Sequence, residues 1–164
     1  MTIVDSLLPE YDREIASTRK VLERVPEGRF DWKPHMKSMT LGELAGHLAR
    51  LPSWGHVAID HPELDLSGPM PPPPSTSAEV LRTFDREAAQ TRNALAAATD
   101  AQLMGAWTLK REGKTIFTMP KVAVLRSFVL NHIIHHRGQL TVYLRLNDVP
   151  LPSIYGPSAD EFPF

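Results

Sequence analysis

The chain contains no cysteine among its 164 residues. This excludes disulfide bonds and redox chemistry by protein thiols, and any metal site must use nitrogen and oxygen ligands. The absence is compatible with the cytoplasm. The segment Met1–Asp5 lacks the basic start and apolar core of a signal peptide, so we expect a cytoplasmic location.

Long apolar runs and an excess of charge of one sign are also lacking. No run approaches the ~20 apolar residues that a membrane span needs. The 18 Lys and Arg residues nearly balance the 19 Asp and Glu residues, which leaves a formal net charge of −1 at pH 7. Because neither nucleic acid nor an anionic membrane would be attracted to such a surface, we expect neither as a partner. We therefore expect the partner to be a small-molecule substrate.

What the sequence does have is apolar residues that recur at steps of three and four in four long segments. This spacing is typical of amphipathic helices. The predicted helices cover residues 2–25, 40–59, 76–98 and 120–146, and Pro52 is expected to kink or end the second. We therefore predict an all-α fold, a four-helix bundle that forms a single domain over residues 1–164.

Two connections between these helices are longer than the others. Residues 60–75 contain the run Pro71–Pro74, which we interpret as a stiff spacer rather than an SH3-type ligand. Before the last helix, Trp107–Lys110 and Thr115–Thr118 alternate in polarity around a turn that contains Gly113. This pattern fits a small hairpin, and it fits an irregular crossover loop equally well.

The last predicted helix carries His132, His135 and His136, three of the seven histidines. His132 and His136 are four residues apart, so their imidazoles leave the same face of a helix, roughly 6 Å apart along its axis. They fall on the predicted buried stripe of this helix, where they occupy positions expected for Leu or Ile. A lone buried histidine is usually satisfied by a backbone or carboxylate hydrogen bond. A pair on one stripe favours a metal ion.

The second predicted helix supplies a third histidine. It opens with the capping box Thr40–Glu43, and His47 lies beside Leu44 and Leu48 on its apolar face. Three inward histidines from two helices, with coordination positions left for water, match a catalytic rather than a closed structural metal site. The remaining histidines precede this helix or lie near its end, and we expect them to be solvated: His35, His56 and His61.

These motifs resemble the DinB/YfiT-like superfamily of metal-binding four-helix bundles over nearly the whole chain. The resemblance is carried by Trp32–Pro34, by Leu41–Leu48 and above all by His132–Leu140. It implies nickel or zinc held by one histidine of helix two and two of the last helix, which correspond to His47, His132 and His136. It also implies a homodimer. Some relatives use a low-molecular-weight thiol as a cofactor in transfer or isomerisation.

Residues beside the histidines suggest roles that the sequence leaves open. Gln139 either binds the second nitrogen of a ligand histidine or a metal-bound water, or is solvated. Arg137 could pair with Glu43, with the tail acids Asp160 or Glu161, or elsewhere on the surface. Gly138 either admits a close helix or is merely tolerated. For a general base, Glu43 and His135 are the nearest candidates, and both could be structural.

We therefore expect a metal-dependent enzyme, either a hydrolase or a thiol-dependent transferase, because an ion with open positions activates water or a thiol. The alternative is a non-catalytic metal- or ligand-binding protein related to stress, and a third is a plain bundle with a buried histidine network. Substrate is predicted to bind near the N-terminal half of helix two. The apolar residues of the tail, Tyr155 and Phe164 among them, are predicted to dock over that site.

Overall fold

The structure, a computed structural model, describes residues 1–69 and 72–162. Each of helices α1 and α2 packs against both α4 and α7, which is the arrangement of a four-helix bundle. The helices are α1 (Ile3–Leu22), α2 (Leu41–Arg50), α3 (Ser53–Asp60), α4 (Ser77–Ala97), α5 (Asp100–Met104), α6 (Lys121–Val124) and α7 (Asn131–Leu146). A π-helical turn, Leu125–Leu130, joins α6 to α7, so that one long helix runs to Leu146.

The helices begin where capping residues predict. Thr40 accepts a hydrogen bond from the Glu43 N–H at 3.1 Å, and the Glu43 carboxylate accepts one from the Thr40 N–H at 2.7 Å. These two bonds satisfy N–H groups that the first turn of a helix leaves free. Pro52 ends the regular part of α2 and starts α3 as its N-cap, which confirms the predicted interruption.

The main core lies between the four helices of the bundle. Helix α4 buries Val80, Phe84, Ala88, Thr91 and Leu95, which confirms the face predicted for it. Leucines of α2 meet this face and the long C-terminal helix, and Leu41, Leu44 and Leu48 are almost wholly buried. The bundle therefore holds α2 firmly between two helices, and this fixes the direction in which its remaining side chains point.

The all-α prediction is wrong, because the chain also forms a three-stranded mixed sheet. Strands β2 (Ala106–Arg111) and β3 (Lys114–Pro120) form the antiparallel hairpin, and β1 (Glu63–Asp65) pairs in parallel with β2. Glu112 and Gly113 both have positive φ, at 52° and 71°, as a tight two-residue hairpin turn requires. The hairpin alternative was therefore the right one, whereas nothing in the sequence predicted β1.

A second apolar core explains why strands form here. Trp107 and Leu109 of β2 pack with Ala58 of α3 and Val124 of α6, and all four are buried. Aromatic rings extend this core. Trp54 and Phe117 each lie beside Trp107, and Phe117 stacks on Phe128 with centroids 4.9 Å apart. The sheet covers apolar surface that the four helices alone leave open at this end of the bundle.

Among residues 1–69 and 72–162, no helix combines the length and the apolar character needed to cross a bilayer.

Candidate functional site

His47 leaves α2 beside the buried leucines of that helix. Leu44 and Leu48 anchor the helix in the core, while the His47 side chain is only half buried. Gly46, one position earlier, lies against Pro74, since a Cβ at Gly46 would be 3.0 Å from the Pro74 Cδ. The capping box, the leucines and this contact with the proline run together fix α2 and so the position of its histidine.

The π-helical turn determines where the histidines of the last helix point. The Asn131 N–H donates to the Arg126 carbonyl, five residues back, so this turn takes up an extra residue. The residues that follow are therefore rotated about the axis relative to an unbroken α-helix. Ile133, Arg137, Leu140 and Leu144 face the core, and His132 and His136 lie half buried at its edge. The predicted buried stripe was therefore wrong at His132 and His136, whereas its next member, Leu140, is buried as predicted.

This rotation directs His132 and His136 toward α2, where they meet His47. One ring nitrogen from each of the three lies within 4.8 Å of the other two. His47 Nε2 and His132 Nε2 are 3.4 Å apart. Two nitrogens bound to one tetrahedral ion at about 2.1 Å would be about 3.4 Å apart. Across residues 1–69 and 72–162, no other group of three such ligands is this compact.

Two hydrogen bonds orient the histidines of α7. His136 Nδ1 lies 2.7 Å from Gln139 Oε1 and donates to it, which leaves the lone pair on Nε2. The imidazole of His132 bonds the backbone carbonyl of Phe128, one turn earlier. Partners of this kind fix the tautomer and the ring plane of a metal-binding histidine. Of the roles predicted for Gln139, the bond to the second histidine nitrogen is confirmed.

The cluster favours neutral imidazoles. Burial lowers the pKa of His47 to about 4, and the charges of His136, His132 and Arg50 act in the same direction. Burial also lowers the pKa of His132, and the charge of His136 adds to this effect. Burial is the main reason that the pKa of His136 falls, and Gln139 opposes it. Neutral imidazoles have the free lone pairs that metal ligands need.

The two candidate bases differ in what surrounds them. Glu43 is exposed, and its carboxylate accepts the Thr40 N–H of the capping box. His135 is also exposed, and its ring lies 4.8 Å from the ring of His136, centroid to centroid. His135 therefore lies beside the cluster, facing solvent, whereas Glu43 has a structural partner on its own helix.

The other three histidines do not join the cluster. His35 and His61 are exposed, as predicted. His56 is not simply solvated, because its side chain is only 24% exposed and its Nε2 lies 3.3 Å from Glu87 Oε2. Its backbone N–H also donates to Thr91 Oγ1 at 2.8 Å. Its position on the inner side of α3 explains the difference.

Arg137 forms a buried ion pair that the sequence analysis missed. Its guanidinium lies 2.8 Å from Glu14 of α1, and both side chains are almost wholly buried. The Tyr155 hydroxyl accepts from Arg137 at 2.6 Å and donates to Glu14 at 2.7 Å. The spacing Leu7, Tyr11, Glu14, Thr18 was a signal for Glu14, because all four are buried on one face of α1.

Three polar residues of the tail bind side chains of α1, of α7 and of the segment that follows α1. Tyr155 bonds the Arg137–Glu14 pair, Asp160 pairs with Arg145, and Glu161 pairs with Arg24 at 2.5 Å. Neither tail acid contacts Arg137, and the partners of Tyr155, Asp160 and Glu161 are other residues than the three histidines. Phe164, which we expected to dock over the site, lies outside the described residues.

Comparisons with known proteins agree with this fold. The sequence profile of the DinB superfamily matches residues 10–140. An uncharacterised Bacillus subtilis protein, YrdA, is 27% identical over 162 residues, which span 97% of this chain and 92% of YrdA. A crystal structure of a DinB-like protein from Bacillus cereus superposes with a TM-score of 0.72 at 24% identity, covering 94% of this chain and 98% of that one.

A second crystal structure, of the DinB-like protein YjoA from Bacillus subtilis, has a TM-score of 0.71 at 19% identity. It covers 91% of this chain and 97% of that one. At these identities the two structures are evidence for the fold alone.

Proposed function

This chain belongs to the DinB superfamily, and from that premise we propose that it is a metal-dependent enzyme that acts on a small molecule. In this proposal His47, His132 and His136 hold one divalent transition-metal ion, zinc or nickel. The observation that carries it is the convergence of three imidazole nitrogens within 4.8 Å from two different helices. A homodimer and a cytoplasmic location remain predictions of the sequence.

The donor set fits such an ion. Three imidazoles suit zinc and nickel, and their lowered pKa values keep them neutral. Gln139 and the Phe128 carbonyl support two of the three rings from behind. A buried histidine network would also form these hydrogen bonds, but it would not require one ring nitrogen from each of three histidines to converge within 4.8 Å. The orientation of the rings therefore supports the metal site over the plain bundle.

Half-buried ligands favour chemistry over a purely structural ion. Structural sites of four protein ligands are closed, whereas three ligands leave a position for water or substrate. A bound ion there would supply Lewis acidity, lowering the pKa of a coordinated water or thiol. His47, His132 and His136 fix the position at which the reacting group binds. His135, exposed beside His136, is placed to carry a proton between that position and solvent, and we propose this role for it rather than for Glu43.

Turnover measurements test this function. The protein would be stripped of metal, reloaded with zinc or nickel, and assayed on ester, amide and thiol-acceptor substrates with and without a low-molecular-weight thiol. We expect metal-dependent turnover that the His132→Ala variant loses. A dependence on added thiol would identify a transferase, and its absence would identify a hydrolase.

The matched control is His61→Ala, which removes an exposed imidazole outside the cluster. It should keep the wild-type rate. Binding of one ion per chain without turnover of any substrate would contradict the enzyme and favour the alternative, a non-catalytic metal- or ligand-binding protein.

A further inference from the structure

An open cleft of about 470 Å³ lies between α2, α3, α4 and Pro72–Pro74. This volume falls in the range of small-molecule sites. Its walls include Arg50, which follows His47 by three residues on the same helix, and Trp54, which lies in the first turn of α3. The carbonyl of Pro72 closes one side, where it accepts a hydrogen bond from the Arg50 guanidinium.

The other charged groups of this cleft already have partners. Arg86 donates to Glu87 Oε1 from two nitrogens, at 2.6 and 2.9 Å, and the second oxygen of Glu87 faces His56. Glu79 accepts from the N–H and hydroxyl of Ser75, at 2.8 and 3.0 Å. Neither carboxylate is paired with Arg50. The charge of Arg50 is therefore not neutralised by the acidic groups that share its cleft.

Arg50 itself has spare hydrogen-bonding capacity. A guanidinium has five N–H donors in a fixed fork that matches carboxylate and phosphate oxygens. One donor binds the Pro72 carbonyl, and no carboxylate among the described residues forms an ion pair with this side chain. The Pro72 bond holds the side chain in place, so an incoming oxyanion would meet an ordered fork.

Trp54 links this cleft to the last helix. Its ring stacks on Phe128 at 6.1 Å with an interplanar angle of 12°. Phe128 in turn lies one turn before His132 and supplies the carbonyl that bonds its imidazole. Trp54 is thus connected to His132 through Phe128, and Arg50 follows His47 by one helical turn, so both walls of the cleft are tied to the histidine cluster.

We propose that Arg50 and Trp54 form the substrate subsite, which selects small organic oxyanions with an apolar body. The guanidinium of Arg50 would bind the carboxylate or phosphate, and Trp54 would contact the apolar body, directing the rest of the molecule toward the histidines. This inference rests on the proposed metal centre for its chemistry, but the subsite itself is built from other residues. Removing one charge-assisted pair weakens binding about tenfold or more.

Titration of the zinc-loaded protein with simple probes tests the subsite. Phenylacetate and phenyl phosphate carry the two kinds of oxyanion, and 2-phenylethanol is the neutral control. Binding would be followed by the NMR signal of the Trp54 indole N–H, assigned by its loss in Trp54→Phe. We expect saturable shifts with at least one of the two anions and none with the alcohol, and the preferred anion identifies the substrate class.

Variants measure how much Arg50 itself, rather than the rest of the cleft, contributes to the affinity for the anion. Arg50→Gln should raise the dissociation constant about tenfold or more, and Arg50→Lys should fall between it and wild type. Arg86→Gln is the matched control, because Arg86 lies in the same cleft but is paired with Glu87. It should change the constant less than about twofold. Equal affinity in Arg50→Gln and wild type, or equal affinity for the alcohol, would overturn the subsite.

Zinc content, measured on the same samples, distinguishes failure of the Arg50–Trp54 subsite from failure of the metal centre. A protein that takes up zinc and binds the anions without Arg50 contradicts the subsite alone, since the oxyanion then binds the ion directly. A protein that takes up no zinc yet binds the anions through Arg50 contradicts the metal centre and supports the subsite.

Discussion

Gln139 is the side chain on which the orientation of His136 depends. Its Oε1 accepts the His136 Nδ1 proton at 2.7 Å, so the amide fixes the ring and leaves Nε2 toward the cluster. Such partners typically contribute 10- to 100-fold in metal affinity, as an order of magnitude.

We therefore predict that Gln139→Met, which keeps the size but loses the acceptor, weakens zinc binding by roughly 10- to 100-fold. Competition with a chromophoric chelator would measure the affinity. Asn131→Ala, an exposed change on the same helix, should keep it. Unchanged affinity in Gln139→Met would show that the ring is held by packing instead.

His47 gives the metal-free protein a defined pH dependence. Burial lowers its pKa to about 4 from an ordinary value of 6.5. Between these values the unfolded chain binds more protons than the folded one, so the free energy of unfolding decreases as the pH falls through this window. The contribution of the neutral His47 imidazole to the free energy of unfolding is complete above pH 6.5 and is lost below about pH 4.

Urea unfolding of metal-free protein at a series of pH values across this window measures the effect. The variant His47→Gln should show a smaller decrease than wild type, because Gln does not titrate. His61→Gln, which changes an exposed histidine, should keep the wild-type decrease. The same slope in all three proteins would refute the assignment to His47.

At the scale of the elements, the sequence predicts features that depend on neighbouring residues, but not features that depend on residues far apart in the chain. The α4 face and the Thr40–Glu43 cap were predicted, since each is encoded within a few residues. Strand β1 has only Leu64 as an apolar residue, and its pairing partner lies 45 residues away. No local pattern could have predicted it.

In the candidate site, too, local features were predicted and features that depend on distant residues were not. The three histidines were found because helical spacing puts apolar neighbours around each of them. Their half-buried placement was not predicted, because the π-helical turn Leu125–Leu130 changes the phase of the helix without an obvious sequence mark. The Arg137–Glu14 pair was missed because it joins residues 123 positions apart, and such pairing depends on the packed bundle.

Two glycines test the packing of these elements. A Cβ at Gly55 would lie 2.3 Å from Thr91 Cγ2, whereas nothing lies within 4 Å of one at Gly138. Close approach of another helix is thus seen at Gly55 and not at Gly138, for which we had considered it. Thr91 cannot easily move, because it bonds both Pro52 and His56.

Gly55→Ala should therefore destabilise the protein by about 1–3 kcal/mol through overpacking. Gly138→Ala, in an exposed helix interior, should stabilise it by about 0.5–1 kcal/mol, because Ala loses less backbone entropy than Gly. Chemical denaturation of the two variants measures both values. A stabilising Gly55→Ala would contradict the close contact between α3 and α4.

At the scale of the whole molecule, the exposed apolar surface indicates where two copies of the chain would meet. The apolar stripes of α1 and α4 are largely buried within one chain and leave little surface for the homodimer that the resemblance implies. The exposed apolar residues Val142 and Leu146 lie one turn apart on α7, at 57% and 58% exposure. They give a second copy of the chain a place to bury apolar surface.

We predict the mass of two chains in light scattering at micromolar concentration. The double variant Val142→Lys, Leu146→Lys should shift the protein toward the mass of one chain. A single-chain mass for the wild type would refute the dimer.

The central claim is that His47, His132 and His136 together hold one divalent ion per chain. Elemental analysis of protein purified without a polyhistidine tag or chelator tests it most directly. We predict about one zinc or nickel ion per chain in the wild type, falling as the pH is lowered because protons compete for the imidazoles. Each of His47→Ala, His132→Ala and His136→Ala should lose the ion, while His35→Ala and the double variant His56→Ala, His61→Ala should keep it. Stoichiometric metal in His132→Ala would contradict the claim.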